Sequence, residues 1–169
     1  MGARRIAHTS LYLALAIILP LAFHQFGIGG RIFLPMHFPV MICGFVVGGL
    51  PGVIVGLIAP LLSHLLTSMP PAYAVPLMSL ELPIYGLFAG LTYRSLKLNI
   101  YVSLLLCMIA GRLAFALGLF LLGLFMELPY GPAQFFAAGG AVVTGLPGVI
   151  IQFIIIPPLV AGINRISRP

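Results

Sequence analysis

A chain of 169 residues that is 62% apolar and only 6% charged cannot clothe a globular surface in polar groups, because soluble domains carry about 25% charged residues. Lipid is the solvent that this composition fits. Eight basic against two acidic residues give a formal net charge of +6, but the basic ones are scattered among apolar runs and form no stripe for nucleic acid, and no G-x-x-x-x-G-K-[ST] loop is present for ATP hydrolysis.

A crossing helix needs about 20 apolar residues, so the length holds about six, and the expected fold is an all-α integral membrane bundle forming a single membrane domain over 1–169. The first span is predicted over Arg5–Phe26. Two arginines before an apolar run look like a secretory signal, yet Ile6–Phe26 is longer than a signal core and lacks a small-x-small cleavage site, so it reads as a membrane helix. Its first half carries Ala3, Ala7, Ser10 and Ala14, a smooth patch that suits close helix packing or a second subunit equally. His24 falls near its far end, and Arg31 lies in the connection that follows.

The second span, Leu34–Gly49, is short for a crossing and is expected to be tilted, broken or set in thin bilayer; His37 lies just inside its start. The third covers Pro51–Ser68, with His64 four residues from its end. Gly44, Gly48, Gly52 and Gly56 recur at four-residue spacing, as do Gly86 and Gly90, which predicts close backbone approach between helices. In the fourth span, Leu77–Tyr93, Met78, Glu81, Leu82 and Tyr85 share one face of mixed character, and Glu81 is roughly 6 Å deep at 1.5 Å per residue. The fifth, Leu98–Met126, holds Arg112 roughly 21 Å from its start, at a depth similar to that of Glu81. The two either pair or each meet a complementary group on a ligand. Leu128–Ala138, with Pro129, Gly131, Pro132 and Gln134, reads as a partly re-entrant loop before the sixth span, Gly139–Ile163. The repeat of Gly49–Ile54 as Gly145–Ile150 is read as chance or shared helix-start chemistry in preference to duplication.

Orientation follows from the basic residues. With the N-terminus inside, Arg4, Arg5, Arg94, Lys97, Arg165 and Arg168 are cytoplasmic and only Arg31 is external, which predicts both termini inside. Under that topology Glu81, Arg112, His24, His37, His64, Arg31, Glu127 and Gln134 all gather in the outer half. Such a distribution suits an outward-facing binding cavity, whereas a channel or proton relay needs polar groups through its full depth. Tyr73, Tyr85, Phe115 and Tyr130 are available to stack on a planar ligand, or to sit at the interface. The histidines come from different spans with no i, i+3 or i, i+4 pair, so no metal site and no cofactor are expected, and Cys43 and Cys107 read as small core residues.

The layout resembles the substrate-binding S components of energy-coupling factor (ECF) transporters. The likeness rests on Leu34–Val40 opening the second span, Gly49-Leu50-Pro51-Gly52 with Val53 and Gly56 at the next turn, Glu81 with Tyr85-Gly86 and Gly90, and Gly111-Arg112. It implies a subunit of the prokaryotic plasma membrane that captures a vitamin or precursor from outside and docks on a coupling transmembrane subunit driven by two ATPase subunits. The family's Ala-x-x-x-Ala docking motif is matched by Ala3 and Ala7, with Ser10 and Ala14 as an alternative contact. Candidate substrate-binding residues are Arg112, Glu81, His37, Tyr85, Arg31, His64 and Gln134. Arg112, Arg31 and the histidines suit a carboxylate or phosphate, as in folate or pantothenate; Glu81 and the aromatics suit a pyridoxine-type ring or dimethylbenzimidazole. Competing classes are a membrane enzyme acting on a lipid head group, for which no paired acids or nucleophile with base are found, and a small ligand-free scaffold subunit.

Overall fold

The structure is a computed structural model that describes residues 2–25, 30–125, 127–128, 131 and 145–166. The chain runs α1 (Ala3–Gln25), α2 (Gly30–Phe33), α3 (His37–Val46), α4 (Gly49–Thr67), α5 (Ala74–Gly90), α6 (Ile100–Leu122) and α7 (Leu146–Ile166), with a π-helical turn, Leu91–Ser95, continuing α5. No strand occurs among the described residues.

Among the described residues five helices are long and apolar enough to cross a membrane: α1, α4, α5 with its π-helical turn, α6 and α7. Of the three forms expected for the second span, the structure shows the broken one. Its helical part, α3, has 10 residues, about 15 Å, or half of a hydrocarbon core. The break has a local cause: Leu34 adopts φ 51 ahead of Pro35, and the Leu34 carbonyl accepts from the His37 amide at 3.1 Å to start α3 afresh. Pro39 is tolerated in that first turn because the missing N–H would have had no helical partner. At the far end Gly48, with φ 128, turns the chain directly into α4. Asn99 caps α6, its side chain accepting from the Tyr101 amide at 2.9 Å.

Short as it is, α3 is the most enclosed of the described helices, with Val40, Met41, Cys43 and Phe45 all buried. It lies between α5, α4, α1 and α7, while α5 is packed in turn against α3, α4 and α6. Glycine sets the α4–α5 distance: a Cβ on Gly52 would stand 2.7 Å from the Gly86 Cα, and one on Gly56 2.5 Å from the Leu82 carbonyl carbon. Rows such as Leu57, Leu61 and Leu65 on α4 and Leu113, Leu117 and Phe120 on α6 face outward, the inside-out pattern of a protein solvated by acyl chains.

Charge separates the two ends. Arg5 lies against Gly48, Arg94 donates to the Val46 carbonyl, and Asn164 donates to the Tyr93 hydroxyl at 3.3 Å, which ties the start of α1, the π-helical turn and the last turns of α7 to one basic end. The ion-paired groups lie toward the other end.

Candidate functional site

On α5 a four-residue repeat, Leu77, Glu81, Tyr85 and Ala89, points one row of side chains into the bundle, and all four are buried. Two of them are polar, so the row carries a carboxylate and a phenol into the core. Glu81 is 2% exposed, and burial at that depth demands partners. The Tyr85 hydroxyl donates to its Oε1 at 3.1 Å, one helical turn away. Arg112 on α6 reaches the same oxygen with Nη1 at 3.3 Å. His37, at the start of α3, places Nε2 3.6 Å from Oε2, too long for a hydrogen bond. Its ring stands edge-on to Tyr85, with centroids 5.1 Å apart and planes at 75°.

The neighbouring sequence explains why this fits. A Cβ on Gly111 would lie 2.5 Å from the Tyr85 ring, so the Gly111-Arg112 pair serves twice: the glycine admits the tyrosine and the arginine meets the glutamate. Beside this layer lies an apolar group of Leu77, Phe115 and Leu119, also from α5 and α6. Helix α7 adds its own row, Gly148, Gln152, Ile156 and Val160, all buried. Helices α3, α5, α6 and α7 thus form a closed set, since α3 packs on α5, α5 on α6, and α7 on both α6 and α3. All four contribute buried or largely buried polar side chains, among them His37, Glu81, Arg112 and Gln152.

The expected residues divide into three groups. Glu81, Arg112, His37 and Tyr85 are brought together. His64 is engaged elsewhere: its Nδ1 is 2.7 Å from the Pro70 carbonyl, bracing the connection from α4 to α5. Gln134 and the side chains of Arg31 and His24 lie outside the described residues. Ala3, Ala7, Ser10 and Ala14 are exposed along one side of α1, opposite the buried Tyr12, Ala16 and Pro20. Gln152 was not among the expected residues. It was detectable by the rule that singled out Glu81, as a polar side chain well inside an apolar span.

Chemically, the layer combines an ion pair, a phenol, an imidazole and an amide, with apolar walls. That makeup fits recognition of a small molecule through a few directed polar contacts. Among the described residues no group of three or more His, Cys, Asp or Glu is placed to hold a metal ion.

Compared with known protein families, residues 4–160 match the family described as ECF transporter, substrate-specific component. No curated protein and no solved structure gives a significant match.

Proposed function

The chain belongs to the family of ECF transporter substrate-specific components, and from that membership we propose that the layer of His37, Glu81, Tyr85 and Arg112 forms the polar wall of a cavity that captures a vitamin or vitamin precursor. Family membership makes the chain a substrate-binding subunit of an ECF transporter, a multi-pass membrane protein that associates with ECF membrane and ATPase subunits. ECF substrate-specific components are transporter subunits, not enzymes.

The observation that carries the cavity reading is the burial of a carboxylate and a guanidinium from two different helices. Each costs about 2.5–3.5 kcal/mol to place at mid-membrane on insertion scales, and such groups mark sites and pathways. The basic end is the cytoplasmic one in this reading, with both termini inside a prokaryotic plasma membrane, because basic loops stay on the side of synthesis. The cavity then opens outward. Candidate substrates remain folate, pantothenate, a pyridoxine-type ring and dimethylbenzimidazole.

The test is a survey of the purified chain in detergent against these four compounds by thermal shift and calorimetry, with mass spectrometry of any co-purified small molecule. Saturable binding of at least one, or a co-purified vitamin-like molecule, is the expected result. Absence of both would remove the capture reading.

The exposed side of α1 is proposed as the docking face for the coupling transmembrane subunit, in an assembly with two ATPase subunits. Ala3, Ala7, Ser10 and Ala14 present little bulk there, so a partner backbone can approach closely. Ala7→Trp or Ala14→Trp is expected to leave substrate affinity of the isolated chain within about twofold while abolishing uptake in cells that supply the coupling module. Undiminished uptake with both variants would exclude α1 as the docking face.

A further inference from the structure

We infer that the substrate is an uncharged polar molecule whose edge offers a hydrogen-bond acceptor beside a donor, read by Gln152 and His37. This rests on the capture reading and narrows it from four candidates to the uncharged two.

Charge balance comes first. The chain contains two acidic residues, Glu81 and Glu127, and Glu127 is exposed outside the helices. Within the layer the single negative charge of Glu81 already has the guanidinium of Arg112 at 3.3 Å. The carboxylate is further engaged by Tyr85 and faces His37. A net-charged ligand would therefore enter a low-dielectric space where the charges of the described residues cancel, and its own charge would find no counter-ion among them. An uncharged ligand meets no such penalty.

Hydrogen-bonding capacity gives the second argument. The Gln152 amide Nε2 and both ring nitrogens of His37 are buried and make no hydrogen bond among the described residues. Gln152 is 1% exposed and His37 3%. Native proteins rarely leave such groups unsatisfied, and a ligand is one reason for an exception. In the tautomer that carries its proton on Nε2, toward the Glu81 carboxylate, His37 presents Nδ1 as an acceptor. Gln152 presents a donor. The complementary edge carries a donor and an acceptor, as a hydroxyl next to a ring nitrogen or an N–H across an imidazole-type ring.

The two groups also lie on helices that pack on one another. A Cβ on Gly148 would lie 2.5 Å from the Ile32 carbonyl and 2.9 Å from Phe33, which fixes the register of α7 against the segment leading into α3. Gln152 is four residues beyond Gly148, His37 is four beyond Phe33, and α3 packs on α7.

The experiment uses full-length chain in detergent with four probes: pyridoxine and 5,6-dimethylbenzimidazole as uncharged, pantothenate and folate as anionic. Calorimetry should show saturable binding confined to an uncharged probe, or an uncharged molecule should co-purify. Gln152→Leu should weaken that binding about five- to tenfold, the share of one neutral hydrogen bond. The same variant should raise the Tm of the ligand-free chain by about 2–4 °C, because it removes a buried donor with no partner. A Gln152 that merely holds the fold together would lower Tm instead, which overturns its assignment to the substrate. Should Gln152→Leu fail to express, Gln152→Met and His37→Asn provide the same affinity readout, with His37→Asn retaining an acceptor. Saturable binding of pantothenate or folate, unaffected at position 152, overturns the inference while leaving capture standing. Binding of no probe, with nothing co-purified, removes both.

Discussion

Glu81→Leu should be the most damaging single change in the proposed binding layer, lowering stability by about 3–5 kcal/mol and abolishing substrate binding. The reason lies less in the lost contact than in what stays behind. Arg112 would keep its charge in the bundle without Glu81, the carboxylate it pairs with at 3.3 Å. For a chain of this length the loss corresponds to a fall of about 10 °C in Tm. Arg112→Ala should be milder, because Glu81 retains the Tyr85 hydroxyl and the nearby His37. The pair Glu81→Leu with Arg112→Met separates folding from recognition. Replacing both partners by apolar side chains of similar size is close to neutral in other buried ion pairs, so stability should recover to near that of the parent. Binding should not recover, because the polar wall is gone. Thermal unfolding and calorimetry on the single and double variants check this. A double variant that still binds would confine the ion pair to a structural role.

The parts of the site that could be read from the sequence are those fixed by helix geometry alone. Equal depth of Glu81 and Arg112 follows from 1.5 Å per residue counted from each end, and the shared face of Glu81 and Tyr85 from their four-residue spacing. The structure adds what connects them: Gly111 leaves room for the Tyr85 ring. His37 was placed at the proper end, but its position beside the carboxylate depends on the break at Leu34, where a left-handed residue before a proline starts a new helix inside the bundle. The shortness of Leu34–Gly49 admits a broken span beside a tilted one, but no hydrophobic average places the break at Leu34 or leaves a 10-residue helix after it. Gln152 passed unnoticed for a related reason. One amide among isoleucines barely lowers the mean hydropathy of a window, whereas its energetic meaning depends on whether a partner is present. The glycine series was legible as a packing signal, yet spacing alone names no partner, and only the fold pairs Gly52 with Gly86.

That pairing leads to the second large effect: Gly86→Ala should destabilise the chain by about 3 kcal/mol, the upper part of the range for overpacking, although it adds one methyl group. Position 86 is pinched from two sides. A Cβ there would run into the Gly52 backbone on α4, and the Gly86 carbonyl is itself what a Cβ on Gly44 of α3 would strike. Backbone atoms cannot rotate away as a side chain end can, so α4 and α5 must separate. Contact energy between apolar helices falls steeply with distance, and in lipid no hydrophobic effect compensates. Gly90→Ala, which would meet the Gly48–Gly49 backbone, should behave alike. The consequence reaches the site, because Gly86 directly follows Tyr85 and shares a helix with Glu81, so a shift of α5 lengthens the contacts to Arg112 and His37. Gly86→Ala should therefore weaken substrate binding as well as lower Tm. Gly162→Ala is the matched control: nothing lies within 4 Å of its Cβ position, and alanine's better helix propensity should leave stability unchanged or up to about 1 kcal/mol higher. Thermal unfolding of the three variants in one detergent decides the matter. Equal Tm for Gly86→Ala and Gly162→Ala would mean that α4 and α5 do not touch through these glycines.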